Sequence, residues 1–124
     1  MSEVGLALTG GKTAYRSGEV ISGRASWRVD EDPTSAELSL FWYTSGKGTQ
    51  DVGVVQRLPF PSPRREEQRD FTLPLPREPY SCSGALISIV WAVELIVGPG
   101  DLVSRCEFVL SGTGQEVVLA HEGA

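Results

Sequence analysis

Fourteen consecutive residues, Gly84 to Val97 (GALISIVWAVELIV), form the longest apolar run in the chain and carry a single charge, Glu94. Read at a period of two, Ile87, Ile89, Trp91, Val93, Leu95 and Val97 share one wholly apolar face. The opposite face, Leu86, Ser88, Val90, Ala92, Glu94 and Ile96, is mixed. One apolar side at that period is the signature of a strand whose inner face is core. A helix would bury Glu94 and Ser88, and the density of β-branched residues also favours extended backbone. The run therefore predicts the central strand of a β-sandwich.

The rest of the chain reads as shorter strands arranged to cover it. Val4 to Thr9 is a first strand, stopped by Gly10-Gly11, and Thr13 to Glu19 is a turn. In Glu19 to Val29, Ile21, Gly23, Ala25, Trp27 and Val29 alternate with Ser22, Arg24, Ser26 and Arg28, a clean inside/outside split. After the acidic turn Asp30 to Pro33, Ser35 to Thr44 puts Ala36, Leu38, Leu40 and Trp42 on one face. Glu37, Ser39, Phe41 and Tyr43 take the other. Asp51 to Leu58 is a weaker strand. Gln68 to Leu75 contains Pro74, which points to an edge or a bulge. Asp101 to Ser111 alternates again, and Gln115 to Ala120 completes about seven to eight strands. No stretch carries a helical period, so the expected fold class is all-β, an immunoglobulin-like antiparallel β-sandwich, with residues 1–124 as one domain.

Eleven basic against sixteen acidic residues leave a net charge of −5. That argues against nucleic acid as a partner, because neutralising phosphates needs a basic surface. Met1-Ser2-Glu3 has no basic leader followed by an apolar stretch, and Ala85 to Val97 is too short to span a bilayer. A cytoplasmic protein without a transmembrane segment is expected. Two cysteines are too few for a disulfide framework. If Val97 faces Asp101 across the Gly98-Pro99-Gly100 turn, Cys106 faces Ala92 and Cys82 lies roughly 33 Å away. Both are expected to be reduced thiols.

Catalytic chemistry finds little to work with. Gly11-Lys12-Thr13 ends like a phosphate loop, but Leu6 stands where that motif needs glycine and a turn follows where it needs a helix. The one histidine, His121, is the fourth residue from the C-terminus, a poor place to hold a base beside a nucleophile. Cys82, Cys106 and His121 lack metal-ligand spacing. Asp30/Asp32 and Glu66/Glu67 are paired carboxylates in turns, without the further convergent oxygens that calcium or glycoside chemistry requires. Pro76-Arg77-Glu78-Pro79 has PxxP spacing but reads as an extended entry into the central strand. Trp27, Trp42 and Trp91 all fall on inward parity, which makes them core rather than a sugar platform. No enzyme and no cofactor are expected.

Three blocks together resemble a known family. Tyr15-Arg16-Ser17-Gly18-Glu19-Val20-Ile21-Ser22-Gly23 is similar to the Y-x-P-G-E-x-I-x-G pattern of arrestin-type domains, with Ser17 where proline is common. Phe71-Thr72-Leu73-Pro74, then Pro79-Tyr80-Ser81-Cys82-Ser83-Gly84, then Ile89-Val90-Trp91-Ala92-Val93 resemble that family's later motifs in order and spacing. The resemblance covers roughly Tyr15 to Val97. It implies the sandwich shared by arrestins, their retromer-subunit relatives and bacterial sporulation-control proteins, which are non-catalytic adaptors and scaffolds.

In immunoglobulin-like order the strands holding Phe41/Tyr43 and Val90/Ala92 are neighbours. Their outward side chains are expected to form an exposed apolar patch, and such patches mark interfaces. The reading is a protein-interaction module whose sheet face meets a partner or a second copy of itself. Arg24 and Arg28, both outward on one strand, form a second candidate surface, for an acidic peptide or phosphate. The alternative is a small sandwich that binds a carbohydrate or an anion through its loops. An exposed tryptophan or an aromatic loop cleft would mark that alternative.

Overall fold

The computed structural model describes residues 2–46, 50–84, 87–112 and 117–119. Strands β1 (Glu3–Leu8), β3 (Val20–Arg28) and β6 (Glu66–Pro74) form one antiparallel sheet in the order β1-β3-β6. Strand β8 (Ile87–Gly98) is the middle of the second sheet. On one side it pairs with β4 (Ser35–Gly46), which pairs in turn with β5 (Val52–Pro59). On its other side it pairs with β9 (Leu102–Ser111) over residues 91–97 and with β7 (Cys82–Gly84) at Ile89. Two short parallel pairings finish the sheet: β2 (Ala14–Arg16) with β9, and β10 (Val117–Leu119) with β7.

The all-β sandwich expected from alternation is present, with differences of detail. Tyr15, expected in a turn, lies on a three-residue strand, and the two parallel pairings have no counterpart in the sequence pattern. Alternation has too few positions over three residues to reveal a strand. The central strand begins at Ile87 rather than Gly84, because Cys82–Gly84 runs antiparallel to it as a strand of its own. Residues 85 and 86 lie outside the described residues, as do Gln115, Glu116 and Ala120 of the expected last strand.

The register of the β8–β9 hairpin also needs correcting. Val97 faces Leu102, not Asp101, so Cys106 faces Val93 rather than Ala92. Cys82 faces Ile89 on the same strand. The two thiols thus sit four positions apart along β8, about 13 Å, instead of roughly 33 Å. That is still beyond bridging distance, and both cysteines are free. Burial raises the Cys106 thiol pKa, and its Sγ lies 3.2 Å from the Leu6 carbonyl, closing the flank where β1 meets β9.

The core fills the space between the sheets as the periodicity requires. Trp91, Val93, Leu95 and Val97 of β8 pack with Leu38 and Leu40 of β4 against Ile21, Ala25 and Trp27 of β3 and Phe71 and Leu73 of β6. Trp91 is fully buried, and its indole N–H donates to the Pro79 carbonyl at 2.6 Å. Trp27 donates in the same way to the Arg64 carbonyl at 2.7 Å. Each buried donor is satisfied by a connecting segment, which fixes that segment over the core.

The blocks that resemble the arrestin pattern are structural parts. Tyr15 and Ile21 are core residues, and Gly18 takes a left-handed φ of 82°. The Glu19 carboxylate accepts from Lys12 Nζ at 2.6 Å and from the Arg16 backbone N–H at 2.7 Å, locking the turn between β2 and β3. Lys12 also lies 4.6 Å from the Tyr15 ring centroid. Gly23 has no room for a side chain: a Cβ there would collide with the Ala7 carbonyl oxygen and come within 2.8 Å of the Phe71 ring. In the later block, buried Ser81 exchanges hydrogen bonds with Leu110, donating its N–H at 2.6 Å and accepting on Oγ at 2.9 Å.

Two outcomes are expected. Gly23→Ala must displace either the β1 backbone or the Phe71 ring, and urea denaturation should show a loss of about 1–3 kcal/mol. Glu19 has its pKa lowered, first by the hydrogen bond from Lys12 and then by the Arg16 N–H. A depressed folded-state pKa contributes stability above the unfolded value of about 4.3, and that contribution disappears as pH falls through the folded value. The Tm difference between wild type and Glu19→Gln should therefore be present at neutral pH and shrink across roughly pH 5 to 3. A difference that stays constant over that window would count against this role.

Candidate interaction surface

The outer face of the second sheet brings the first candidate residues together. Strands β4 and β8 are direct neighbours, with Phe41 opposite Ala92 and Tyr43 opposite Val90. The Phe41 and Tyr43 rings are 6.2 Å apart at 31°. They are not bare, however. Phe41 is only 8% exposed and Ala92 fully buried, so the expected exposure of these two is corrected. The cover comes from β9, where Arg105 and Glu107 stand on the same face opposite Glu94 and Ala92.

The Arg105 guanidinium lies 5.1 Å from the Phe41 ring centroid and 5.6 Å from that of Tyr43. It is held there by Glu94, with Nη2 and Nε at 2.7 and 2.8 Å from Oε2. The Tyr43 hydroxyl donates to Glu107. That bond and then partial burial raise the Tyr43 pKa, while the Glu94 hydrogen bond raises that of Arg105. A planar cation on two aromatic faces, fixed by a carboxylate, makes an ordered polar lid over an apolar floor. Single-strand alternation could place Phe41 outward but could not see a long side chain two strands away.

Sequence reasoning also missed the most exposed part of this surface. Strand β5 pairs Gln56 with Leu40 but Val54 with Phe41, so Val55 is an extra residue and the ladder is bulged there. A bulge resets which face the following side chains occupy. Beyond it, Val54 and Val52 stand opposite Phe41 and Tyr43 and share their outward face. They are 44% and 63% exposed, and Val55 is 43% exposed. Gly53 between them is covered by the Trp42 ring, which occupies the volume a Cβ would need. The valine-rich segment is visible in the sequence, but its facing is not.

The second candidate surface lies on the opposite side of the sandwich. Arg24 is paired with Asp70 across β3 and β6, Nε to Oδ1 at 2.8 Å, both well exposed. Arg28 stands between Glu3 and Glu66 in register. Carboxylates flank both arginines, so this face offers no concentrated positive charge to an anion. Of the tryptophans, Trp27 and Trp91 are core, while Trp42 is half-buried over Gly53. A cleft of about 320 Å³ at one end of the sandwich is bordered by Asp30, Glu31, Val29 and Pro99, with no aromatic ring. Among the described residues no three metal-ligating side chains converge, and no helix is long and apolar enough to cross a membrane. His121 lies outside the described residues.

The fold defined by these two sheets is an arrestin-like β-sandwich. No family model matches the chain, and no curated protein matches it by sequence. Among solved structures it is similar to Spo0M, a sporulation control protein from Bacillus subtilis, at TM-score 0.64 and 19% identity. The match covers 89% of this chain and 49% of Spo0M, so the chain spans about half the length of that protein. Two enzymes align more loosely. One is the DNA glycosylase AlkC of Pseudomonas fluorescens, at TM-score 0.47 and 14% identity over 89% of this chain and 30% of that one. The other is a β-glucosidase of Listeria innocua, at TM-score 0.46 and 15% identity over 94% and 16%. At those scores their chemistry has no bearing on this chain.

Removing the lid tests its role. Arg105→Ala should destabilise by about 0.5–1.5 kcal/mol and increase the fluorescence of a bound hydrophobic dye. Arg105→Lys should restore only part of both, because an ammonium cannot stack on two rings as a guanidinium does.

Proposed function

We propose that residues 1–124 act as one non-catalytic interaction module, a cytoplasmic scaffold or adaptor. Its protein partner docks on the outer face of the sheet formed by β5, β4, β8 and β9. The observation that carries this reading is the juxtaposition of two half-covered side chains, Tyr43 and Val90, with the exposed Val52 and Val54 in one continuous strip. Arg105, Glu94 and Glu107 border that strip. An apolar centre with an ordered polar border is the anatomy of a protein interface. The likeness to Spo0M supports the fold on which this reading rests. A carbohydrate or anion site in the loops has less behind it, since the end cleft is acidic and lacks an aromatic platform.

Quantitative affinity capture tests the proposal, with Val90→Glu and Tyr43→Glu on the proposed face and Arg24→Glu on the opposite one. Phe41 is too buried to serve as a probe, because a charge there would disturb the fold itself. A specific partner should be lost with the first two variants and retained with the third. Equal retention by all three would remove this face as the binding surface.

A further inference from the structure

The two sheets leave β6 and β5 as edge strands, and the two are protected very differently. Strand β6 turns Arg69 and Glu67 inward as an ion pair at 3.0 Å, with the guanidinium 5.8 Å from the Phe60 ring centroid. Its outward residues are Glu66, Gln68, Asp70 and Thr72, and it ends in Pro74. Inward charge, outward charge and proline are the usual defences against another strand adding to an edge. Strand β5 is guarded by its bulge and, at one end, by Arg57 and Pro59. Between Asp51 and Arg57 it carries no charge and shows three exposed valines.

The direction of the free backbone groups follows from the ladder. The Thr44 N–H donates to the Asp51 carbonyl at 2.9 Å, and the Asp51 N–H to Thr44 Oγ1 at 2.8 Å, so the main chain of Asp51 points toward β4. In an antiparallel pair this orientation alternates, which turns the N–H and C=O of Val52 and Val54 to the open edge. We propose that this edge pairs with the same strand of a second copy of the chain, antiparallel, about a two-fold axis at Gly53. Val52 of each copy then lies beside Val54 of the other, about four backbone hydrogen bonds form, and the valines of both copies join into one strip.

The charges select this direction. An antiparallel pairing keeps like charges apart, since Asp51 of each copy faces Val55 of the other. A parallel pairing would set Asp51 beside Asp51 and Arg57 beside Arg57. The ladder is short and buries well below the ~800 Å² per partner of a standard interface, so the dimer is weak and concentration-dependent. This inference rests on the same sheet being the interaction surface but uses its edge, which separates it experimentally from docking on the face.

Sedimentation equilibrium across roughly 10 µM to 1 mM protein decides it. The average mass of the wild type should rise from the 13.4 kDa of one chain toward twice that value. Val54→Lys should stay at the monomer mass throughout. Val52→Lys, at the most exposed of the three valines, should do the same. Val90→Glu, two strands from the edge, should lose the captured partner yet leave the mass curve unchanged. A wild type that remains monomeric at the highest concentration overturns the proposal. So does a Val54→Lys or Val52→Lys variant that associates normally. Circular dichroism accompanies each variant; if Val54→Lys is misfolded, Val52→Lys alone distinguishes the two outcomes.

Discussion

Everything in this molecule is arranged around the dry side of β8. Trp91, Val93, Leu95 and Val97 are essentially without solvent contact, and each needs a partner on the facing sheet. Strand β3 supplies Ile21, Ala25 and Trp27, and β6 supplies Phe71 and Leu73. The two indole N–H groups cannot be left unpaired in such an interior. Their carbonyl partners at Pro79 and Arg64 therefore fix the segments before β7 and between β5 and β6. Apolar burial sets where the sheets meet, and a few buried polar groups then set where the connections lie.

The other side of the same strand shows how a surface is built on this scaffold. Because β8 alternates, its outward residues inherit positions fixed by the core: Val90 beside Tyr43 and Ala92 beside Phe41. The next strand lays Arg105 over both rings and returns Glu107 to the tyrosine hydroxyl. The result is a floor of aromatic and aliphatic groups partly roofed by ion pairs, flush with an edge strand whose valines are exposed. Rigid sheet backbone beneath and movable charged side chains above suit a surface that meets other proteins.

The residues that resemble an arrestin-type pattern act at the level of the fold. Tyr15 fills the core, Gly18 adopts a backbone conformation that other residues resist, Glu19 locks a turn, and Gly23 permits close approach of β1 and Phe71. None of them reaches the proposed interaction surface. A shared set of such positions therefore speaks for a shared sandwich and leaves the choice of partner to other residues.

Strands long enough for alternation to speak are legible in the linear chain, and with them the all-β class, the inward tryptophans and the adjacency of Phe41/Tyr43 with Val90/Ala92. Periodicity is a local property: each strand's apolar positions reveal its buried face without knowledge of its neighbours. Features that involve more than one strand emerge only on folding. The extra residue at Val55 moves Val52 and Val54 onto the outer face, although nothing in their types marks the change. The one-residue difference in the β8–β9 register places Cys106 opposite Val93. The reach of Arg105 over two rings on β4 turns an expected open patch into a covered one. Bulge, register and cross-strand reach are set by how neighbouring strands fit together, and a linear pattern holds no record of that fit.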